Sequence, residues 1–413
     1  MPAEALKCKE CGETYPLEAL FVCDNCFGPL EVEYDLSGLD ADETRRRIQA
    51  GPASIWRYAD FLPFERPPKS ALGAGQTPLV RSERLAERLG IGEVWIKNDA
   101  ANPTHSFKDR VVTVALAKAQ ELGYRVVACA STGNLANAVA AHAAAAGLES
   151  YVFIPADLEE QKILATGVYG THLVAVDGCY DDVNRLCTEL AGDHDDWAFV
   201  NVNMRPYYSQ GSKTLGFEIA ERLGFELPDR VVCPVASGSL FTKIARGFEE
   251  WLEVGLVQGE LPAFNGAQAA GCAPVAEAYE SGEDVCRPVR FPSTIAKSLA
   301  IGNPADGPYA LDLARRTGGG IDSVTDEEIA AGIRFLAETT GIFTETAGGV
   351  TTAVLRKLAE RGDIGADERV VLVITGEGLK TLDAVRGTFE VNRIEPSTES
   401  FDAAFREPAA ARA

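Results

Sequence analysis

The stretch YRVVACASTGNLANAVAAHAAAAG, residues 124–147, decides the fold. Val126 to Ala130 form an apolar run without alternation. Four small polar residues follow, Ser131-Thr132-Gly133-Asn134, and then an alanine-rich run that closes at Gly147. A continuous apolar strand, a polar turn and a glycine-ended helix make one strand–loop–helix unit. The same succession recurs outward in both directions. SYVFIP (150–155) and THLVAV (171–176) each lead into a helix, the second beginning near Asp181. RVVCPV (230–235) leads through Ala236–Leu240 into FTKIARGFEEW, and RVVLVIT (369–375) leads into GEGLKTLDAV. Strands that are apolar throughout and alternate with helices predict an α/β fold with parallel sheets covered on both faces.

In such sheets ligands bind beyond the carboxyl ends of the strands, in the loops that enter helices. Four loops carry suitable residues. In NPTHSFKDR (102–110), Val111, Val114, Ala115, Ala119 and Leu122 set a helical spacing that places a helix start near Phe107, with Thr104 or Ser106 as cap. Lys108 then falls in the first turn, where the helix dipole disfavours a cation. An amine kept partly uncharged there would be a nucleophile. Ser131, Thr132, Gly133 and Asn134 offer hydroxyls, an amide and free helix N–H groups, a receptacle for a carboxylate or other anion. The turn Ala236-Ser237-Gly238-Ser239-Leu240 could hold a phosphate on its backbone N–H groups, and it matches neither glycine-rich nucleotide fingerprint. Thr375 to Lys380 end the last strand, with two glycines that let a ligand approach and Thr375 as a neutral hydrogen-bonding group. Taken singly, each loop reads more readily as a plain cap or turn, and Lys108 as a solvated lysine.

With 413 residues, 46% hydrophobic and 24% charged, the chain is long enough for two or three domains with full cores. A formal net charge of −22 argues against nucleic-acid and anionic-membrane partners, and reads as solubility or a salty cytoplasm. MPAEALKCKECG lacks an apolar signal region, and NAVAAHAAAAG is too short to span a bilayer. The expected location is cytoplasmic, with the ten cysteines reduced or ligating metal. Cys8, Cys11, Cys23 and Cys26 have the spacing of a zinc ribbon, closed by four thiolates and therefore structural. The other six read as buried small hydrophobes. The tail beyond Glu395 carries little pattern and is expected to be loosely attached.

NDAANPTHSFKDRVV, STGNLANAVAAHAAAAG and ITGEGLKTLDAV together resemble the pyridoxal-phosphate enzymes of tryptophan synthase β-subunit type and, within them, the threonine synthases. CFGPLEVEYDL, GQTPLV, GSKTLGFEIA, TIAKSLAIGNP and GIFTETAGGVT extend the likeness over nearly the whole chain. The resemblance implies two parallel-sheet domains of that type behind a small zinc-ribbon-like segment: residues 1–35 for the ribbon, 36–105 and 206–413 for a large cofactor-binding domain, and 106–205 for a small domain inserted in it. It also implies pyridoxal 5'-phosphate as cofactor and a homodimer.

By the same resemblance Lys108 is the Schiff-base lysine. Asn134 bonds the cofactor's phenolic oxygen, Ser131, Thr132 and Gly133 hold the substrate carboxylate, Ala236 to Leu240 hold the cofactor phosphate, and Thr375 bonds the ring nitrogen. Glu377 stands where the family commonly has His or Asp. The implied reaction converts O-phospho-L-homoserine and water into L-threonine and phosphate, and the dianionic leaving group needs cations. Arg205 and Lys213, with Asn203 as a neutral donor, or Lys297, are the candidates, and for each cation the other reading is a surface salt bridge. His105 reads as packed or solvated. The alternatives are a cysteate synthase-like β-replacement enzyme or a serine/threonine dehydratase, which need no site for a γ-phosphate.

Overall fold

The computed structural model describes residues 3–64, 72–131, 133–158 and 160–405. At the N-terminus, β1 (Ala3–Cys8), β2 (Thr14–Tyr15) and β3 (Leu30–Tyr34) form a small antiparallel sheet in the order β2-β1-β3. The body holds two further sheets. Strands β4 (Leu79–Arg81) and β5 (Glu93–Asn98) begin the larger. The chain then crosses to β6 (Val126–Ala130), β7 (Glu149–Pro155), β8 (His172–Val176) and β9 (Trp197–Phe199). It returns as β10 (Arg230–Pro234), β11 (Ala263–Ala269), β12 (Gly320–Val324) and β13 (Arg369–Ile374). The orders are β12-β11-β10-β13-β5-β4 and β8-β7-β6-β9. Every pairing in these two sheets is parallel except β4 on β5, an antiparallel edge that the sequence reading did not anticipate. β4 has only three residues and is half-exposed to exposed, too short and too open to display the buried pattern.

The helices Lys108–Glu121 and Arg205–Arg222 lie where the chain crosses between sheets. The second is buried without interruption from Pro206 to Ala220. A helix apolar or tightly packed all round is a core element, not a surface one. Between the two helices and β5 sits a knot of buried charge. The Arg110 guanidinium bonds Asp99 at 2.6 and 2.9 Å and Glu218 at 2.6 and 2.7 Å, while Lys97 donates to Glu218 at 2.6 Å. All four side chains are at most 1% exposed. Two cations against two carboxylates leave no net buried charge, the condition under which such a cluster is tolerated.

Several local expectations are corrected. The helix begins at Lys108 with Phe107 before it, where it was expected, but neither Thr104 nor Ser106 caps it. Thr104 instead turns inward and donates from its N–H and its hydroxyl to Asp109 Oδ2, both at 2.9 Å. The Ser106 hydroxyl is buried without a partner among the described residues. GEGLKTLDAV forms a 3-10 segment, Gly378–Val385, broken at Thr381, in place of a regular helix. In the tail, Thr398–Phe405 is helical but buries no residue, and 406–413 lie outside the described residues. Of the six scattered cysteines, Cys129, Cys187, Cys233 and Cys272 are buried as expected, whereas Cys179 is exposed and Cys286 is partly so. Among the described residues no helix is long and apolar enough to cross a membrane.

Candidate active site

The carboxyl ends of β6, β10 and β13 open onto one cleft between the two large sheets, enclosing about 840 Å³ with its open mouth included. Lys108, Ser131, Asn134, Ala236, Ser237, Gly238, Ser239, Leu240 and Thr375 all line it. These residues come from four loops spread over more than 260 positions, and the parallel topology brings them to one place. Lys108 enters at the mouth of its helix and its amine donates to the Tyr208 hydroxyl at 2.7 Å. Burial lowers its pKa to about 8, against the opposing pull of Cys129 and Glu345.

The Ala236–Leu240 turn leads into the Ser239–Val254 helix through Gly238, whose φ of +95° only glycine adopts freely. A Cβ at Gly238 would also stand 2.7 Å from the Asp306 carbonyl oxygen, so the turn is drawn tight against its neighbour. Ser131 caps the helix after β6, its hydroxyl accepting from the N–H groups of Gly133 and Ala136 at 3.0 and 2.8 Å. The Thr375 hydroxyl has no hydrogen-bond partner among the described residues. The Ser298 hydroxyl is likewise buried without a partner and lines the cleft.

Other expected residues stand elsewhere. Lys213 is fully buried and donates to both carboxylate oxygens of Glu250 at 2.9 Å, which ties it to a partner on the next helix and away from the cleft. Asn203 accepts from the Phe199 N–H and donates to the Trp197 carbonyl, bracing its own loop. Arg205 pairs with Asp306 at 2.9 Å, and the Asp306 N–H donates to the Ser237 carbonyl, so this cation stands behind the turn and outside the cleft lining. Lys297 is exposed, as is His105. Gly133 lies under the aliphatic chain of Lys162 and is not part of the lining, and Thr132 lies outside the described residues. The Glu377 carboxylate caps the Leu379 N–H.

Three residues escaped the sequence reading. Glu345 is buried before the Thr346–Arg361 helix and accepts from the Asn134 amide through both oxygens at 2.9 Å. Lys380 donates to the Asn134 and Asn137 side-chain oxygens at 3.0 and 3.1 Å. Tyr208 holds the Lys108 amine. Each lies inside a motif quoted for the family likeness or searched for cations, and none has a spacing that marks it.

Away from the cleft, the sulfur atoms of Cys8, Cys11, Cys23 and Cys26 all lie within 4.8 Å of one another. That closeness would let four thiolates share one metal ion.

Residues 71–376 match the family described as pyridoxal-phosphate dependent enzyme. The threonine synthase of Methanosarcina acetivorans is 41% identical over 377 residues, covering 91% of this chain and 92% of its own length. That of Methanocaldococcus jannaschii is 38% identical over 392 residues, covering 94% and 96%. Among solved structures, the processed form of threonine deaminase isoform 2 from Solanum lycopersicum superposes with a TM-score of 0.63 at 20% identity, over 94% of this chain and 93% of that one. The fungal L-serine ammonia-lyase from Rhizomucor miehei gives 0.65 at 21%, over 78% and 100%. These two share the fold. With the cleft, the helix-mouth lysine and relatives matched almost end to end, the chain belongs to the pyridoxal-phosphate dependent enzymes and, among them, to the threonine synthases.

Proposed function

We propose that this chain converts O-phospho-L-homoserine and water into L-threonine and phosphate, using pyridoxal 5'-phosphate on Lys108. One observation carries the reading: an amine lowered to about 8 by burial opens into the same cleft as a strand-to-helix turn built for phosphate. The residues fit the cofactor. An aldehyde needs an amine that can be neutral, and Lys108 is one. A phosphate needs N–H donors at a helix mouth, and Ala236–Leu240 supply them ahead of a sixteen-residue helix. A ring nitrogen without a forced proton needs a hydroxyl, and Thr375 offers one with no competing partner.

Bound there, the cofactor supplies an electron sink for negative charge at the substrate carbons. The chain does the rest. The Lys108 amine takes the proton from Cα and, by reach, delivers protons at neighbouring carbons. The Tyr208 hydroxyl holds that amine when it is free. The Ser131 hydroxyl and the helix mouth behind it receive the substrate carboxylate. Leu135, Leu240, Leu299 and Ile301 line the cleft and keep bulk water away from the charged groups. Phosphate leaves from Cγ and one water adds at Cβ, so atoms balance. With Lys213 and Asn203 engaged elsewhere, Arg205 and Lys297 stay the candidate cations for the leaving phosphate, Arg205 only by giving up Asp306 and turning from behind the phosphate turn.

We read the domain division as 1–35, 106–205 and the remainder, the working form as a cytoplasmic homodimer, and the four-cysteine cluster as a structural zinc site. Incubating the chain with pyridoxal phosphate and phosphohomoserine should release threonine and phosphate in equal amounts. Sulfite-dependent turnover of phosphoserine at an equal rate, or deamination of serine without threonine formation, would move the assignment to one of the alternatives.

A further inference from the structure

Glu345 is the one carboxylate among the described residues that line the cleft, and Lys108 is the one cation. Its placement is costly and specific. The side chain is almost wholly inaccessible, and Gly376 exists as glycine beneath it, since a Cβ there would fall 2.4 Å from Glu345 Oε1. The Glu345 N–H donates to the Gly376 carbonyl at 3.1 Å, which fixes the residue to the end of β13. Standing before the Thr346–Arg361 helix, Glu345 caps none of its N–H groups, and both carboxylate oxygens turn to the Asn134 amide.

The Asn134 amide is held from both sides. Its nitrogen donates to Glu345 and its oxygen accepts from Lys380, so two charges of the larger-sheet side dictate which way the amide points. A plain hydrophobic wall would satisfy packing without this arrangement.

We propose that Glu345 is a positioning residue of the Lys108 site: its carboxylate fixes the Asn134 amide and supplies the buried negative charge against which Lys108 takes up and gives back its proton. The inference rests on Lys108 being the cofactor lysine. Burial alone weakens an amine as a base, and a base must hold the proton it removes from carbon. Glu345 acts against that weakening. The groups facing it are Lys108 from the first crossing helix, Asn134 from the helix after β6, and Lys380 from the segment after β13. Besides Glu345, Lys108 faces Cys129, on β6, which pulls in the same sense, and the Tyr208 hydroxyl, while Tyr180 lines the same cleft; burial raises the pKa of all three.

The test uses the full chain stripped of cofactor and no substrate. Pyridoxal phosphate is added across a pH series, the adduct is trapped with borohydride, and incorporation at residue 108 is read by peptide mass. In Glu345→Gln the pH midpoint of incorporation should fall by about one unit or more. In Glu345→Asp, which keeps the charge, it should stay within about half a unit of wild type. An unmoved midpoint in Glu345→Gln overturns this proposal alone. No incorporation into the wild-type chain overturns it together with the functional reading. If Glu345→Gln does not fold, Glu345→Asp decides, because a fall of more than about one unit with the charge retained would show that charge is not the determinant.

Discussion

Arg110 grips Glu218 through two parallel hydrogen bonds, Nη1 to Oε1 at 2.6 Å and Nη2 to Oε2 at 2.7 Å, only two residues beyond the cleft lysine. The fork geometry is one that lysine cannot reproduce. Replacing Arg110 with methionine leaves Glu218 and Asp99 buried with only Lys97 to oppose them. The expected loss is about 3–5 kcal/mol of stability, read as a lowered midpoint in urea unfolding. Arg110→Lys should recover only part of it.

The Lys108 amine should give the site its pH dependence. Burial holds its pKa at about 8, below the ordinary lysine value, so the neutral amine grows as pH rises through 8. Capture of pyridoxal phosphate by the stripped protein should therefore accelerate from pH 7 to 9 and level off above. One unit below the midpoint about a tenth of the amine is neutral. A stopped-flow series following the visible band checks this, and Lys108→Ala should abolish both band and turnover.

Tyr208→Phe removes the hydroxyl that receives the Lys108 amine at 2.7 Å and leaves the ring in place. A hydrogen bond to an ionisable group contributes about 1.5–3 kcal/mol, so kcat should fall roughly ten- to a hundredfold. KM should change little, because the hydroxyl serves the freed amine and not the bound substrate. Steady-state kinetics at fixed pH separate the two.

Elemental analysis of protein never exposed to chelator should find one zinc per chain. Cys23→Ser should lose it. The N-terminal segment touches the body through contacts such as the Tyr207 hydroxyl on the Glu18 carbonyl at 2.8 Å and the Tyr34 hydroxyl on Gln210 at 3.0 Å, made by residues that are not themselves in the cleft lining. Metal loss should accordingly lower the thermal midpoint while leaving kcat, measured well below that midpoint, little changed.

The strand–loop–helix units were legible because a parallel strand buried on both faces writes an unbroken apolar run, as in Val126–Ala130 and Arg369–Ile374. The loops that follow them were legible for the same reason, and the structure brings Lys108, Asn134, the Ala236–Leu240 turn and Thr375 to one cleft. What the chain does not write is partnership across distance. Lys213 looked like a phosphate ligand because Glu250, 37 residues on, carries no local mark. Glu345 drew no notice because its partner Asn134 is 211 positions away. Short edge strands such as β4 leave no pattern at all.

Lys108, Asp109 and Arg110 leave the helix about 100° apart, and each finds a different neighbour. The first enters the cleft, the second receives the His142 ring at 2.8 Å from the helix after β6, and the third locks into the charge knot beside β5. The consequence is mechanical. The nucleophile is triangulated between both halves of the molecule, so a hinge motion that widened the gap would have to tear one of those two moorings before it could shift the amine.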